Sequence, residues 1–229
     1  MTGSVRRFFR DNGLGLTFLT LFALALVGQA FAGHADFDNR LAAEELQRIS
    51  LGEYVTSSDF AVDVMENWQS EYLQFFLYVF LTVWLVQRGS PESKPPDGIG
   101  VESDEEQRVG PHARSDSLRW AAAGGLRLKL YASSLGYVMG VVFVLSWLAQ
   151  SITGVAAYNE EQLRELQAPD SWSEYVVSAD FWNRTLQNWQ SEFLAIASMA
   201  ILSIYLRQRG SPESRPVGAA HATTGGEGG

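Results

Sequence analysis

The 229-residue chain has no cysteine, only three histidines, and no basic run longer than Arg6-Arg7. Without cysteine there is no disulfide framework and no thiolate to act as nucleophile or soft metal ligand. His34, His112 and His221 stand far apart, so the paired spacings that hold zinc on a helix are missing. Neither a Gly-x-Ser-x-Gly elbow nor a P-loop nor a dinucleotide fingerprint occurs. The 17 Lys and Arg are outnumbered by 26 Asp and Glu, and no basic patch suits a phosphate backbone. These absences predict a chain with no catalytic residue, no metal or cofactor and no nucleic-acid partner.

Charge is also missing from two long stretches, Leu14–Ala32 and Leu130–Tyr158. Each could cross a hydrocarbon core, which takes about 20 helical residues. Shorter apolar runs follow at Tyr72–Val86 and Phe193–Leu206. The mean hydropathy near zero conceals them, because acidic segments dilute the average. A soluble four-helix bundle fits poorly, since soluble core helices rarely lack polar residues all round.

What the chain does have is repetition. Asn67-Trp68-Gln69-Ser70-Glu71 returns unchanged as Asn188-Trp189-Gln190-Ser191-Glu192, and Gln87–Ser93 (QRGSPES) returns as Gln208–Ser214. Both pairs lie 121 residues apart, so the copies align without a gap. Gln29/Gln150, Gly33/Gly154, Glu53/Glu174, Tyr54/Tyr175, Asp59/Asp180 and Phe60/Phe181 share that offset. A period this long is a duplicated domain. The predicted organisation is a first membrane hairpin over 1–94, a disordered acidic linker over 95–126, a second hairpin over 127–215 and a flexible tail over 216–229.

Lys and Arg gather at the N-terminus, in the linker region and after the fourth apolar run, whereas the segments inside each hairpin are acidic. The positive-inside rule then places both termini and the linker in the cytoplasm. Two hairpins entering the same way up are related by a pseudo-two-fold axis along the membrane normal. Arg6-Arg7 with Ala30-Phe31-Ala32 also fits a cleaved signal peptide. The equivalent run in the second copy is internal and cannot be removed, which favours a retained helix. The predicted fold is therefore an all-α integral membrane protein with four transmembrane helices in two tandem parallel hairpins.

The outer segments 36–49 and 159–166 read as short helices, followed by Glu-Tyr-Val (53–55 and 174–176) in an extended or turn conformation. Ser57, Ser58 or Asp59 is a candidate N-cap for the second helix. With no Pro or Gly before Gly89, that helix is expected to run from Asp59 to Arg88. Gly89 and Gly210 suit a left-handed stop, reinforced by Pro91 and Pro212. Arg88 and Arg209 would anchor the inner ends and Trp68 and Trp189 the outer belt. The Ser-Pro-Glu-Ser of each stop is left over by this reading, and a cytoplasmic docking motif is one use for it.

The candidate site is polar. Glu192 and Arg207 are separated by about 22 Å of helix, less than a core of about 30 Å, so Glu192 falls at or inside its outer edge. Asn67, Ser70, Glu71 and Gln74 share one helical face, which Asn188, Ser191 and Glu192 repeat with Ala195 in place of the glutamine. Gln29 and Gln150 lie at similar depth on the first helix of each copy. Such groups either hydrogen-bond helices together or form a solute or cation site charged by Glu71 and Glu192. Gly136 and Gly140 make a G-x-x-x-G that suits close helix packing.

The apolar hairpins, with NWQSE opening each second helix and QRGSPES closing it, resemble a family of small bacterial membrane proteins of unknown function. That resemblance implies a bacterial inner-membrane location and no activity. The expected company is the lipid bilayer, with further copies of the chain or another membrane protein. The role expected is non-enzymatic, structural or interactive. The alternative is a small transporter or channel subunit, or a proton- or cation-linked sensor.

Overall fold

The computed structural model describes residues 2–222 and 224, and all regular structure among these is helical. The helices are α1 (Thr2–Asp11), α2 (Gly13–Ala43), α3 (Leu51–Val55), α4 (Ser58–Leu81), α5 (Arg119–Ala122), α6 (Gly125–Ala132), α7 (Ser134–Arg164), α8 (Trp172–Tyr175) and α9 (Ala179–Tyr205). Two of them, α2 and α7, each of 31 residues, are long and apolar enough to cross a membrane. The apolar window of α2 has no buried residue. Helices α4 and α9 carry all their charged residues before Tyr72 and Phe193 and are mainly apolar from there onward.

The outer segments depart from expectation in two ways. The residues expected as separate short helices are the last turns of α2 and α7. Ala, Leu, Glu and Arg are strong helix formers, and nothing in 36–43 or 159–164 interrupts the ladder. The helices stop where Glu45 and Leu166 take positive φ, 59° and 58°. There Leu46 N–H donates to the Leu41 carbonyl and Gln167 N–H to that of Gln162, both at 2.8 Å. Glu53-Tyr54-Val55 is helical, not extended, and Glu174-Tyr175 ends a helix that Val176 follows as a turn. Ser50 and Ser171 cap α3 and α8 through reciprocal bonds with Glu53 and Glu174.

Helices α4 and α9 begin alike. Ser57 Oγ accepts from Phe60 N–H at 3.3 Å and Ser178 Oγ from Phe181 N–H at 3.2 Å, which settles the cap among the three candidates. The expected run to Arg88 is not made, because α4 ends at Leu81. Thr82 Oγ1 turns back onto the Tyr78 carbonyl (2.7 Å), and Val83 offers its carbonyl to Gly100 N–H (2.8 Å). A β-branched hydroxyl residue that bonds its own preceding turn weakens the helix end.

The chain divides into two compact units, Met1–Val64 with Ala156–Pro169, and Met65–Val155 with Asp170–Gly229. The first is centred on Phe37, Leu41 and Tyr54, with Ile49 and Phe60 against them. The guanidinium groups of Arg40 and Arg164 lie 5.2 and 5.5 Å from the Phe37 ring centre. The second is built round Trp147, whose ring stands 5.8–6.2 Å from those of Phe181, Trp182 and Trp189. The 95–126 segment, expected disordered, carries two 3-10 turns, the short helix α5 and a Lys94–Glu102 ion pair of 2.5 Å at its edge.

One contact recurs at the 121-residue offset. Gly33 faces the Tyr54 hydroxyl, and Gly154 faces that of Tyr175, where an added Cβ would come within 2.5 Å of the oxygen. Of the G-x-x-x-G pair, only Gly140 makes a close approach, to the Phe76 ring; Gly136 has open space.

Candidate functional site

Successive turns of α4 present polar side chains, and three of them bond to α9. Glu66 receives Arg184 Nη1 at 3.1 Å. Gln69, wholly buried, accepts the Trp189 indole N–H at 2.8 Å. Gln74 Nε2 donates to the Glu192 backbone carbonyl at 3.3 Å. Ser70, also buried, donates to the Asn67 carbonyl at 2.9 Å. Glu71 acts on Glu192 through its charge.

The other members are placed unevenly. Asn188 Nδ2 donates to the Arg184 carbonyl and Ser191 Oγ to that of Asn188, both within α9. Asn67 is exposed. Gln29 lies half-buried on α2 in the first unit, while Gln150 on α7 in the second is wholly buried with both amide atoms unbonded. Thr185 Oγ1 and Trp147 Nε1 are likewise buried without partners. Trp189 is not simply a belt residue, because its ring packs on Trp147 while its N–H holds Gln69. Trp68, 37% exposed, and Arg88 and Arg209, both exposed, suit interfacial positions.

Gln69 was missed because position 69 lies off the face counted from Asn67 and Ser70. Its signal was the unchanged NWQSE itself, in which Trp and Gln recur as a donor and an acceptor. Asp59 was read only as a cap. Its Oδ2 is buried and unbonded, and burial, with Glu160 nearby, pushes its carboxyl above the ordinary range. In the second unit Asp180 Oδ2 accepts from the Tyr175 hydroxyl at 3.2 Å. Burial first, then the Asp180 charge, holds that phenol well above its usual range.

The Ser-Pro-Glu-Ser segments now have a physical account. Gln87 N–H donates to Ser93 Oγ (2.7 Å) and Glu92 N–H to Ser90 Oγ (3.3 Å). The second loop repeats both bonds, Gln208 to Ser214 (2.8 Å) and Glu213 to Ser211 (3.2 Å). Gly89 and Gly210 have φ of 89° and 84°, where a side chain would be strained. Each loop is thus closed by its own two serines. The loops differ in cover. Arg215, 4% exposed, donates to the carbonyls of Gly89 and Ser90 at 2.9 Å each, and Thr224 Oγ1 accepts from Gly89 N–H at 3.0 Å. Residues 216–222 were expected to be flexible; His221 Nδ1 lies 2.7 Å from the Ile204 carbonyl, and Arg207 reaches that of Ala219 at 3.2 Å. Residues 223 and 225–229 lie outside the described residues.

Where these loops approach the helices, a groove of about 640 Å³ is lined by Gln74, Phe75, Tyr78, Glu92, Ala195, Ile196, Met199 and Glu213. The Tyr78 hydroxyl donates to Glu92 within it. A family model described as Domain of unknown function (DUF6766) matches residues 5–226. No curated protein and no solved structure matches the chain significantly.

Proposed function

We propose that this chain, which belongs to the family described as Domain of unknown function (DUF6766), is a multi-pass protein of the bacterial cytoplasmic membrane with a structural or interaction role and no enzymatic activity. On this reading α4 and α9 cross the bilayer with α2 and α7, forming two tandem hairpins whose termini and linker face the cytoplasm. The observation that carries it is the set of bonds from α4 to α9: Arg184–Glu66, Trp189–Gln69 and Gln74–Glu192. Lipid offers no hydrogen bonds, so polar side chains on crossing helices are most stable when bonded to one another. Here they tie helices together; they are not aimed at a reacting centre. The apolar surface of α2 calls for lipid or a partner helix to cover it.

The absence of cysteine makes topology directly testable. Gln47→Cys, Gln167→Cys, Gln107→Cys and Ala220→Cys each introduce one thiol at an exposed position. In intact spheroplasts a membrane-impermeant maleimide is expected to label the first two, and the others only after lysis. Labelling of Gln107→Cys in sealed cells would overturn the topology.

A second reading, a small transporter or channel subunit or a proton- or cation-linked sensor, is favoured by the action of the Glu71 charge on the Glu192 carboxyl. A purely structural pair tolerates Glu→Gln at both positions, because glutamine keeps most hydrogen bonds. An ion or proton site does not.

A further inference from the structure

The groove between α4 and α9 differs from the helix-bonding contacts above it. From Ala195 inward, α9 presents the small side chains of Ala195, Ala197 and Ala200, each lining with Tyr78 one of three adjoining hollows. Small residues facing aromatic ones leave a gap that neither helix fills. Tyr78 lines three adjoining hollows, of about 640, 260 and 190 Å³. The middle one is walled by Leu77, Leu81, Leu85 and Phe193 and is almost wholly apolar. The largest falls within the size range of small-molecule sites.

Its charge is one-sided. Glu92 and Glu213 occupy equivalent places in the two closed loops and both line the groove. Among the described residues neither is in a salt bridge, and the polar partner Glu92 does have, Tyr78, is neutral. Two carboxylates without a counter-cation, beside aromatic and aliphatic walls, match a ligand that is itself cationic and apolar. The Tyr78 and Phe75 rings add faces that attract a cation, and the neighbouring charges make neutralisation favourable.

We infer that this groove is a binding site for an amphipathic organic cation, with Glu92 and Glu213 as its counter-charges, Phe75 and Tyr78 as its aromatic wall, and Ile196 and Met199 opposite. This deepens the transport or sensing reading by naming a substrate class. It places the recognition site at the loops and not at Glu71 and Glu192.

The test uses the full chain purified in dodecyl maltoside, with tetraphenylphosphonium as probe and tetraphenylborate as control. These ions share shape and apolar surface and differ in the sign of charge. Saturable binding of the phosphonium is expected, with tetraphenylborate unable to displace it. Glu92→Gln with Glu213→Gln should weaken binding at least tenfold. Met199→Trp, which fills the groove and leaves every charge in place, should do the same. No saturable phosphonium binding, a loss below tenfold in the double variant, or equal competition by tetraphenylborate would overturn the inference. Loss confined to Glu71→Gln with Glu192→Gln would also overturn it, and would leave sensing at the outer pair standing. Because the assay is run in detergent, its outcome is independent of the cysteine-labelling topology.

Discussion

Gly154→Ala isolates the glycine–tyrosine contact in the C-terminal half of α7. In a helix interior Ala is ordinarily better than Gly by roughly 0.5–1 kcal/mol, so without tertiary contacts the change would stabilise. Here the added Cβ would stand 2.5 Å from the Tyr175 hydroxyl and 3.0 Å from two ring carbons. Tyr175 is fully buried, rests on Phe181 at 5.6 Å between ring centres, and bonds Asp180 at 3.2 Å. Overpacking costs about 1–3 kcal/mol, and losing a hydrogen bond to a charged group about 1.5–3 kcal/mol. Asp180 is partly open to solvent, which favours the lower part of that range. The expected net destabilisation is about 2–4 kcal/mol after the helix gain is subtracted. Unfolding by SDS in mixed micelles, followed by tryptophan fluorescence, measures it. Two further variants sharpen the result. Gly28→Ala, with open space around it, should be neutral or stabilising by up to about 1 kcal/mol. In a Tyr175→Phe background the nearest atom is gone, so Gly154→Ala should cost at least about 1 kcal/mol less than in the wild type. If Gly154→Ala lies within about 0.5 kcal/mol of the wild type, or adds simply to Tyr175→Phe, the reasoning is wrong.

Two other outcomes follow from buried groups. Trp189→Phe leaves the Gln69 amide oxygen buried without its indole donor and should cost about 1–3 kcal/mol; adding Gln69→Leu should recover part of this, which a double-mutant cycle in the same SDS assay reads. Asp59 has a folded-state carboxyl raised above its ordinary 3.8, so the folded chain holds that proton more tightly than the unfolded one. Its effect on stability is therefore absent well below pH 3.8 and becomes unfavourable as pH rises through 3.8 toward the raised value. Asp59→Asn should flatten the fall in stability over that window, as measured by SDS unfolding at stepped pH; an unchanged slope refutes the assignment.

Much of the local architecture was legible residue by residue. Ser57 and Ser178 cap α4 and α9, and Gly89 and Gly210 hold left-handed turns, because capping and positive φ are local properties of two or three residues. Other local signals were present and overlooked. Ser50-x-x-Glu53 and Ser171-x-x-Glu174 are capping boxes that start the short helices through Tyr54 and Tyr175. The serines of QRGSPES close their own loop through bonds spanning six residues at most, which accounts for those residues without a docking partner.

By itself the sequence determined the helical periodicity, the two uncharged stretches long enough to cross a membrane, the 121-residue offset and the closeness in sequence of each candidate polar residue to its helix face. Tertiary structure decided which of those residues meet. Gln69 is paired with Trp189, Gln150 is buried without a partner, and Ala195 opposite Phe75 and Tyr78 opens a groove instead of a contact. The physical reason lies in the range of the interactions. Caps and turns are set by dihedral angles a few residues apart. A side-chain pair 120 residues apart, and equally a gap, depends on how two helix surfaces of different size fit together, which no single helix specifies.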